Sequence, residues 1–406
     1  MSAIAVTEPE ELFLLNTFVD CLTSLPPDTQ LFLVGDWPRS KLFKKVSYHF
    51  ELVCLQYDFE RLRGLLCHFL GSPASQQHFR TQVFPSKGGT GRKEVSQSMT
   101  IRLFTHRGNK YKVSLDCLRN DSLTDDLAVR DFSINALYCN VGTQELLAFR
   151  DFYSDFSHRL IRTIRPPEAT FGHHINIFFR FVEFSVRYQL SISPQIKGYF
   201  RTIDPRTDIF QAALDQQPNN LFSSSKKFFS KHYVGQMLHL MAELGLLDFF
   251  KLDYAGSCDF QRAFAATLRL LDSLELLLRA PMPPVLVAAY PDGMPKVFFT
   301  KTRMFLIAQA LHPHDPVYAL AFLRVFLYNG KEPAEELLRL IQEVDLLLSP
   351  GAPTSRQDTL AMPPPSLVKL LRSISVDKSQ WAFVLVFQVL AAARREAPQD
   401  KMVYKP

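Results

Sequence analysis

Asp125-Asp126-Leu127-Ala128-Val129-Arg130-Asp131-Phe132-Ser133-Ile134-Asn135-Ala136-Leu137-Tyr138 is the stretch whose reading decides the fold. An acidic turn opens into Arg-Asp and then into an apolar run, Phe132 to Tyr138, interrupted by Asn135. The apolar run is expected to be a strand, which places a cation, a carboxylate and an amide at one strand entrance.

Upstream, Tyr111 to Arg119 alternates and puts Lys112, Ser114, Asp116 and Leu118 on one face. Two extended segments, Phe79 to Phe84 and Met99 to Phe104, flank a glycine-rich basic loop, Ser86 to Lys93. That loop lacks the Gly-Lys-Ser/Thr ending of a P-loop, so it reads as a solvated hairpin loop, with phosphate contact as the alternative. His49 to Leu55 alternates as well, with His49, Glu51 and Val53 on one face and Phe50, Leu52 and Cys54 on the other. Glu10 to Leu25 and Phe59 to Leu70 have helical spacing. A short strand, Gln30 to Val34, runs into Gly35-Asp36-Trp37-Pro38-Arg39-Ser40. That corner either is a plain strand-turn-helix connection or presents backbone amides to an anion.

Downstream, a turn at Gly142 and a strand near Glu145 to Phe149 close the strand-rich part. From Thr170 the reading is helical: Phe171 to Gln189, with Phe178, Phe181, Val182 and Ser185 facing a partner, a hairpin from Lys226 to Phe250, and Leu268 to Leu278. Proline-rich connections, Pro281 to Pro295 and Pro350 to Pro365, punctuate a tail with further helices at Arg303 to Leu327, Pro333 to Leu348 and Gln380 to Arg395. The expected class is α+β: an N-terminal head with a small mixed sheet, residues 1–165, then an all-α neck and body, 166–255, and a helical tail, 256–406.

The chain has 406 residues and a formal charge of +6, mildly basic and compatible with nucleic acid. Its six cysteines form no C-x-x-C pair and read as reduced, buried thiols of an intracellular protein. No apolar run reaches the roughly 18 residues of a membrane span, and the N-terminus has neither signal-peptide nor transit-peptide character. Cytoplasm or nucleus is the expected compartment, with mitochondrial import through an internal signal left open.

These motifs resemble the class II nucleotidyltransferases, the tRNA CCA-adding enzymes and bacterial-type poly(A) polymerases. The family's Arg-Arg-Asp-Phe-Thr-Ile-Asn-Ala-Leu is matched by Val129-Arg130-Asp131-Phe132-Ser133-Ile134-Asn135-Ala136-Leu137. Its strand, Gly-Gly turn and Val-Arg-Asp are matched by Leu33-Val34-Gly35-Asp36 and Pro38-Arg39-Ser40, and its Asp-x-Asp by His49-Phe50-Glu51. Downstream, Asp155-Phe156 and Ile161-Arg162-Thr163 also follow the pattern. The resemblance spans about Leu31 to Leu190 and implies a nucleotidyltransferase-type head followed by an RNA-binding-like body.

The departures fall on the chemistry. In the family, paired carboxylates hold Mg²⁺ against the attacking hydroxyl and the triphosphate. Here His49 replaces one of them, and imidazole suits magnesium poorly. The neck motif Glu-Asp-x-x-Arg implies a base-reading Asp and Arg; it is matched by His173-His174-Ile175-Asn176-Ile177, followed by Arg180 and Glu183. Ile177 cannot hydrogen-bond a base, and Glu183 is expected to repel phosphate.

The vestigial catalytic set is thus Glu51, Asp116 and His49, with Glu51 and Asp116 the candidate metal ligands. Gly35, Arg39, Arg130, Asp131, Asn135 and Arg180 are the nucleotide- or phosphate-binding candidates. Arg130, Asp131 and Asn135 either serve that role or pair, cap and satisfy backbone at the strand entrance. Lys226, Lys227, Lys231 and Tyr233 are candidate RNA contacts, while Phe228 and Phe229 beside them either stack on RNA or pack inward.

The expected function is an RNA-binding, catalytically inactive homologue that holds RNA or scaffolds RNA processing or ribonucleoprotein assembly. It needs no cofactor and takes tRNA-like or structured RNA as partner, with protein partners through the tail and no membrane. The alternatives are an active nucleotidyltransferase adding CCA or poly(A) with Mg²⁺ and ATP, and an interaction subunit without RNA contact.

Overall fold

Alternating side chains lay down a mixed, seven-stranded sheet: β1 (Gln30–Val34), β2 (His49–Leu55), β3 (Phe79–Pro85), β4 (Val95–Thr105), β5 (Lys110–Leu118), β6 (Leu137–Asn140) and β7 (Leu146–Ala148). The strand order is β3-β4-β5-β2-β1-β6-β7. Only β2 and β5 run parallel; every other neighbouring pair is antiparallel. A computed structural model describes residues 8–272 except 28, 56–58, 86–94, 106–108, 119–121, 149–150, 173, 252–263 and 266, together with Ile307. The glycine-rich loop 86–93, His173, Cys258 and the expected proline-rich connections and tail helices lie outside the described residues.

One sheet face carries the main core. Phe50, Leu52 and Cys54 of β2 and Tyr111, Val113 and Leu115 of β5 are buried there with Leu14 and Phe18 of α1 (Pro9–Thr23). At the end of β1, α2 (Asp36–Leu42) turns off the strand, and Leu62, Leu66 and Leu70 of α3 (Phe59–Leu70) complete the layer. Phe18 and Phe50 meet edge to face at 5.8 Å between centroids. Truncating either to Ala is expected to cost about 3–5 kcal/mol through lost transfer energy and the cavity left behind.

The opposite face is smaller and more polar. Phe32, Val34, Val53, Leu118 and Tyr138 form a second cluster there, against which Leu123 and Leu127 pack. Those two leucines belong to the helix Leu123–Val129, whose start is capped by the Ser122 hydroxyl accepting from the Asp125 amide at 3.2 Å. Asp125 and Asp126 in its first turn favour the positive end of the helix dipole.

The expected strand from Phe132 to Tyr138 is corrected here. Phe132 makes only a single bridge to Thr163, Ser133–Asn135 forms a 3₁₀ turn, and the strand begins at Leu137. The cause is Asp131, whose Oδ1 accepts from the Phe132 amide at 2.8 Å and from Asn135 Nδ2 at 2.9 Å. A short carboxylate that captures its own following backbone offers the chain a turn instead of a ladder.

The chain divides into two units, 1–170 with 188–196, and 171–187 with 197–406. In the second, helix Ile175–Arg187 buries Phe178, Phe179, Phe181 and Val182. Phe178 stacks on Phe249 at 5.1 Å, and Phe179 packs on Phe228 at 5.1 Å. The helical hairpin anticipated there resolves into Pro218–Phe229, Val234–Glu243 and a 3₁₀ turn, Leu247–Phe250. Among the described residues, no helix is long and apolar enough to cross a membrane.

Candidate nucleotide-binding corner

The corner is built where β1 stops. Gly35 follows with φ +65° and ψ −109°, a conformation that side-chain-bearing residues rarely adopt. It is also crowded: a Cβ at this position would lie 2.8 Å from Glu51 Oε2, 3.5 Å from Asn135 Oδ1 and 3.6 Å from Arg130 Nη1. The sequence candidates Gly35, Glu51, Arg130 and Asn135 are therefore brought together around one backbone bend.

Asn135 is the hub of this arrangement. Its Oδ1 accepts from Arg39 Nη1, its backbone carbonyl accepts from Arg130 Nη1 at 3.4 Å, and its Nδ2 donates to Asp131. Arg39 also donates to Asp36 Oδ1 and, through Nε at 3.1 Å, to the Tyr188 hydroxyl. The second Asp36 oxygen accepts from the Ser47 hydroxyl at 2.8 Å. Burial alone would lower the Arg39 pKa, but the Tyr188 hydroxyl and the Asp36 carboxylate outweigh it and raise it.

Arg130 is the second anchored cation. Its Nε and Nη2 both donate to Asp126 Oδ2, at 2.9 and 2.6 Å, and its Nε also reaches the Tyr138 hydroxyl at 3.0 Å. Burial opposes its charge and is overcome by Asp126 first, then Tyr138 and Glu51, so its pKa is raised. Tyr138 in turn donates to Asp126 Oδ2 at 3.0 Å, and burial pushes its phenol well above the ordinary range.

The implied magnesium site does not fit these residues. His49 occupies the first carboxylate position, and its Nε2 lies 2.9 Å from the Ser114 hydroxyl. Burial, then the charge of Lys112, lower its pKa, which favours neutral imidazole. At the second position Glu51 has one oxygen 4.0 Å from Arg130 Nη2. Register places Ser114, not Asp116, beside Glu51, and pairs Asp116 with Val53. Glu51 and Asp116 thus share a sheet face but stand diagonally, about 8 Å apart at the backbone for adjacent strands and a two-residue offset. Among the described residues, no group of three or more His, Cys, Asp or Glu side chains is placed to hold a metal.

In the second unit, Glu183 lies on helix Ile175–Arg187. It is paired with Lys231 at 2.5 Å and accepts from the Tyr233 hydroxyl at 3.1 Å. Two of the RNA candidates, Lys231 and Tyr233, are thereby engaged within the fold, and the repulsion expected of Glu183 is met by an internal cation. Lys226 and Lys227 are exposed, whereas Phe228 and Phe229 are buried, so the inward alternative holds for the two phenylalanines. His174 Nδ1 lies 2.8 Å from Gln217 Oε1, Ile177 and Arg180 are half-buried, and Asn176 Oδ1 accepts from the Ser224 hydroxyl.

Sequence reading missed Tyr188, Ser47, Asp126 and Tyr138 as parts of the corner. Asp126 had a signal, since it stands four residues before Arg130 at helical spacing. Tyr188 had none, because it reaches Arg39 across 149 positions of chain.

Residues 31–162 match the family described as poly A polymerase head domain. Poly(A) polymerase I of Escherichia coli O6:H1 and that of Escherichia coli O157:H7 are each 25% identical to this chain over 219 residues, covering 53% of it and 45% of the relative. The chain thus spans about half the length of these curated relatives. A CCA-adding enzyme in complex with ATP has a similar structure, with a TM-score of 0.60 at 13% identity over 96% of this chain and 83% of that one. A tRNA-processing enzyme in an apo form gives 0.60 at 15% over 97% and 91%. The Thermotoga maritima CCA-adding enzyme complexed with tRNA gives 0.55 at 14% over 96% and 83%. At these identities the structures establish a shared fold. The chain therefore has an α+β fold like that of the CCA-adding enzymes, matches the poly A polymerase head domain over residues 31–162, and resembles the class II nucleotidyltransferases.

Proposed function

We propose that this chain is an RNA-binding, catalytically silent relative of the CCA-adding enzymes and poly(A) polymerases, which holds RNA in processing or ribonucleoprotein assembly. The observation that carries the reading is the pair of positions His49 and Glu51. Where the family places two magnesium ligands on one strand, a neutral-favouring imidazole is hydrogen-bonded to Ser114 and a carboxylate lies beside Arg130. Both arginines of the corner are also committed to carboxylates of this chain, Arg39 to Asp36 and Arg130 to Asp126. A triphosphate would have to displace those partners. RNA binding is supported by the exposed Lys226 and Lys227 and by the tRNA complex of a CCA-adding enzyme with the same fold.

A second reading rests on Glu51 and Asp116 sharing one sheet face: an active, metal-dependent enzyme adding CCA or poly(A) to RNA 3′ ends. One experiment separates the two. The purified chain is mixed with CCA-lacking tRNA or a short RNA primer, labelled ATP and CTP, and Mg²⁺ or Mn²⁺. RNA retention without extension is the expected result. Extension that is abolished by Glu51→Ala would establish the enzyme. Neither extension nor retention would turn attention to protein partners alone.

A further inference from the structure

We propose that the face of β3, β4 and β5 opposite α1 and α3 is a platform for single-stranded RNA. This deepens the reading of the chain as an RNA binder and rests on it. The alternation that buries Met99, Ile101 and Leu103 of β4 and Tyr111 and Val113 of β5 sends their neighbours to the other side of the sheet. There Arg80, Gln82, Arg102, Lys110 and Lys112 are exposed, and Phe104 is half-exposed.

Register arranges these side chains in two rows. Arg80, Phe104 and Lys110 form one, and Gln82, Arg102 and Lys112 form the next, which continues onto β2 at His49. Four cations consequently occupy a patch of about 10 Å by 7 Å at the backbone. Among the described residues of this face on the three strands, the one carboxylate is Asp116, buried towards the other end. Arg102 and Lys112 stand directly opposite one another, so that neighbouring phosphates of a polyanion can meet both.

Phe104 decides the form of the partner. Its ring lies among the cations, with Lys110 Nζ 5.8 Å from its centroid. Single strands expose base faces that stack on an aromatic ring while their phosphates meet flanking cations; a duplex keeps those base faces inside. A bare phosphate patch would need no ring at its centre.

The test uses the full chain, a labelled single-stranded RNA, a blunt RNA duplex of equal length, and a salt titration of each. The single strand is expected to bind more tightly than the duplex. Arg102→Ala/Lys112→Ala is expected to weaken single-strand binding and to lower the slope of log affinity against log salt by about 0.7 for each phosphate no longer neutralised. Phe104→Ala is expected to weaken it about five-fold to a hundred-fold. Lys226→Ala/Lys227→Ala serves as the comparison on the second unit. If both sheet variants bind like the parent while the lysine variant weakens, the platform is wrong and the RNA reading stands. Preference for the duplex also overturns the platform, and no binding to either RNA overturns both readings.

Discussion

Arg130 grips one oxygen of Asp126 twice, through Nε at 2.9 Å and Nη2 at 2.6 Å, while the other oxygen, Oδ1, is buried without a hydrogen-bond partner. Both residues are almost wholly enclosed, with side-chain exposures of 3% and 1%. Asp126→Ala leaves a guanidinium in a low-dielectric site without its main counter-charge. The expected loss is about 3–5 kcal/mol of unfolding free energy, read from urea melts. A loss below about 1 kcal/mol would mean that water reaches the pair.

Gly35→Ala is expected to destabilise the head by about 1–3 kcal/mol, because its backbone conformation suits glycine and the new methyl meets Glu51. Combining it with Glu51→Ala removes the collision and leaves the backbone strain. A double-mutant cycle should therefore show partial rescue. Full additivity would place the whole cost in the backbone.

The folded state holds His49 below its ordinary value of 6.5. Between the folded and unfolded values the unfolded chain binds the additional proton, so this residue's contribution to stability is present above about pH 6.5 and is lost as pH falls. His49→Gln should flatten the fall in stability between about pH 7 and about pH 5. An unchanged pH profile in that variant would assign the acid sensitivity to other groups.

Glu183→Gln removes the charge that holds Lys231 and weakens the hydrogen bond from Tyr233. The pair is partly exposed, so the expected stability change is at most about 1 kcal/mol. If Lys231 contacts RNA once released, affinity should rise and its salt slope steepen. An unchanged salt slope would restrict Lys231 to its structural pairing.

The elements written in local pattern were legible in the sequence. β1, β2 and α3 begin and end where the apolar run, the alternation and the helical spacing place them; α3 packs one face on the core and leaves the other to water, whereas β1 is buried on both faces after Gln30. The 3₁₀ turn at Ser133–Asn135 was not legible, since the two hydrogen bonds accepted by the Asp131 carboxylate override the apolar run. Within the site, the signature around Arg130 and Asn135 identified the residues but not their partners. Glu183 meets Lys231 across 48 positions, and Arg39 meets Tyr188 across 149; no periodicity encodes such distances.

The pairings of the seven-stranded sheet, in which β2 with β5 is the parallel one, also set an order of assembly. Antiparallel neighbours such as β3 with β4, or β4 with β5, lie close along the chain and close as local ladders, whereas β2 waits for a partner that emerges only after α3, β3 and β4. Closing that longer interval costs more chain entropy and is expected to come late. His49 meets Ser114 in that same step. The contact between His49 and Ser114 thus waits for β5 during synthesis, and a nascent chain stopped before Lys110 lacks the strand against which it forms.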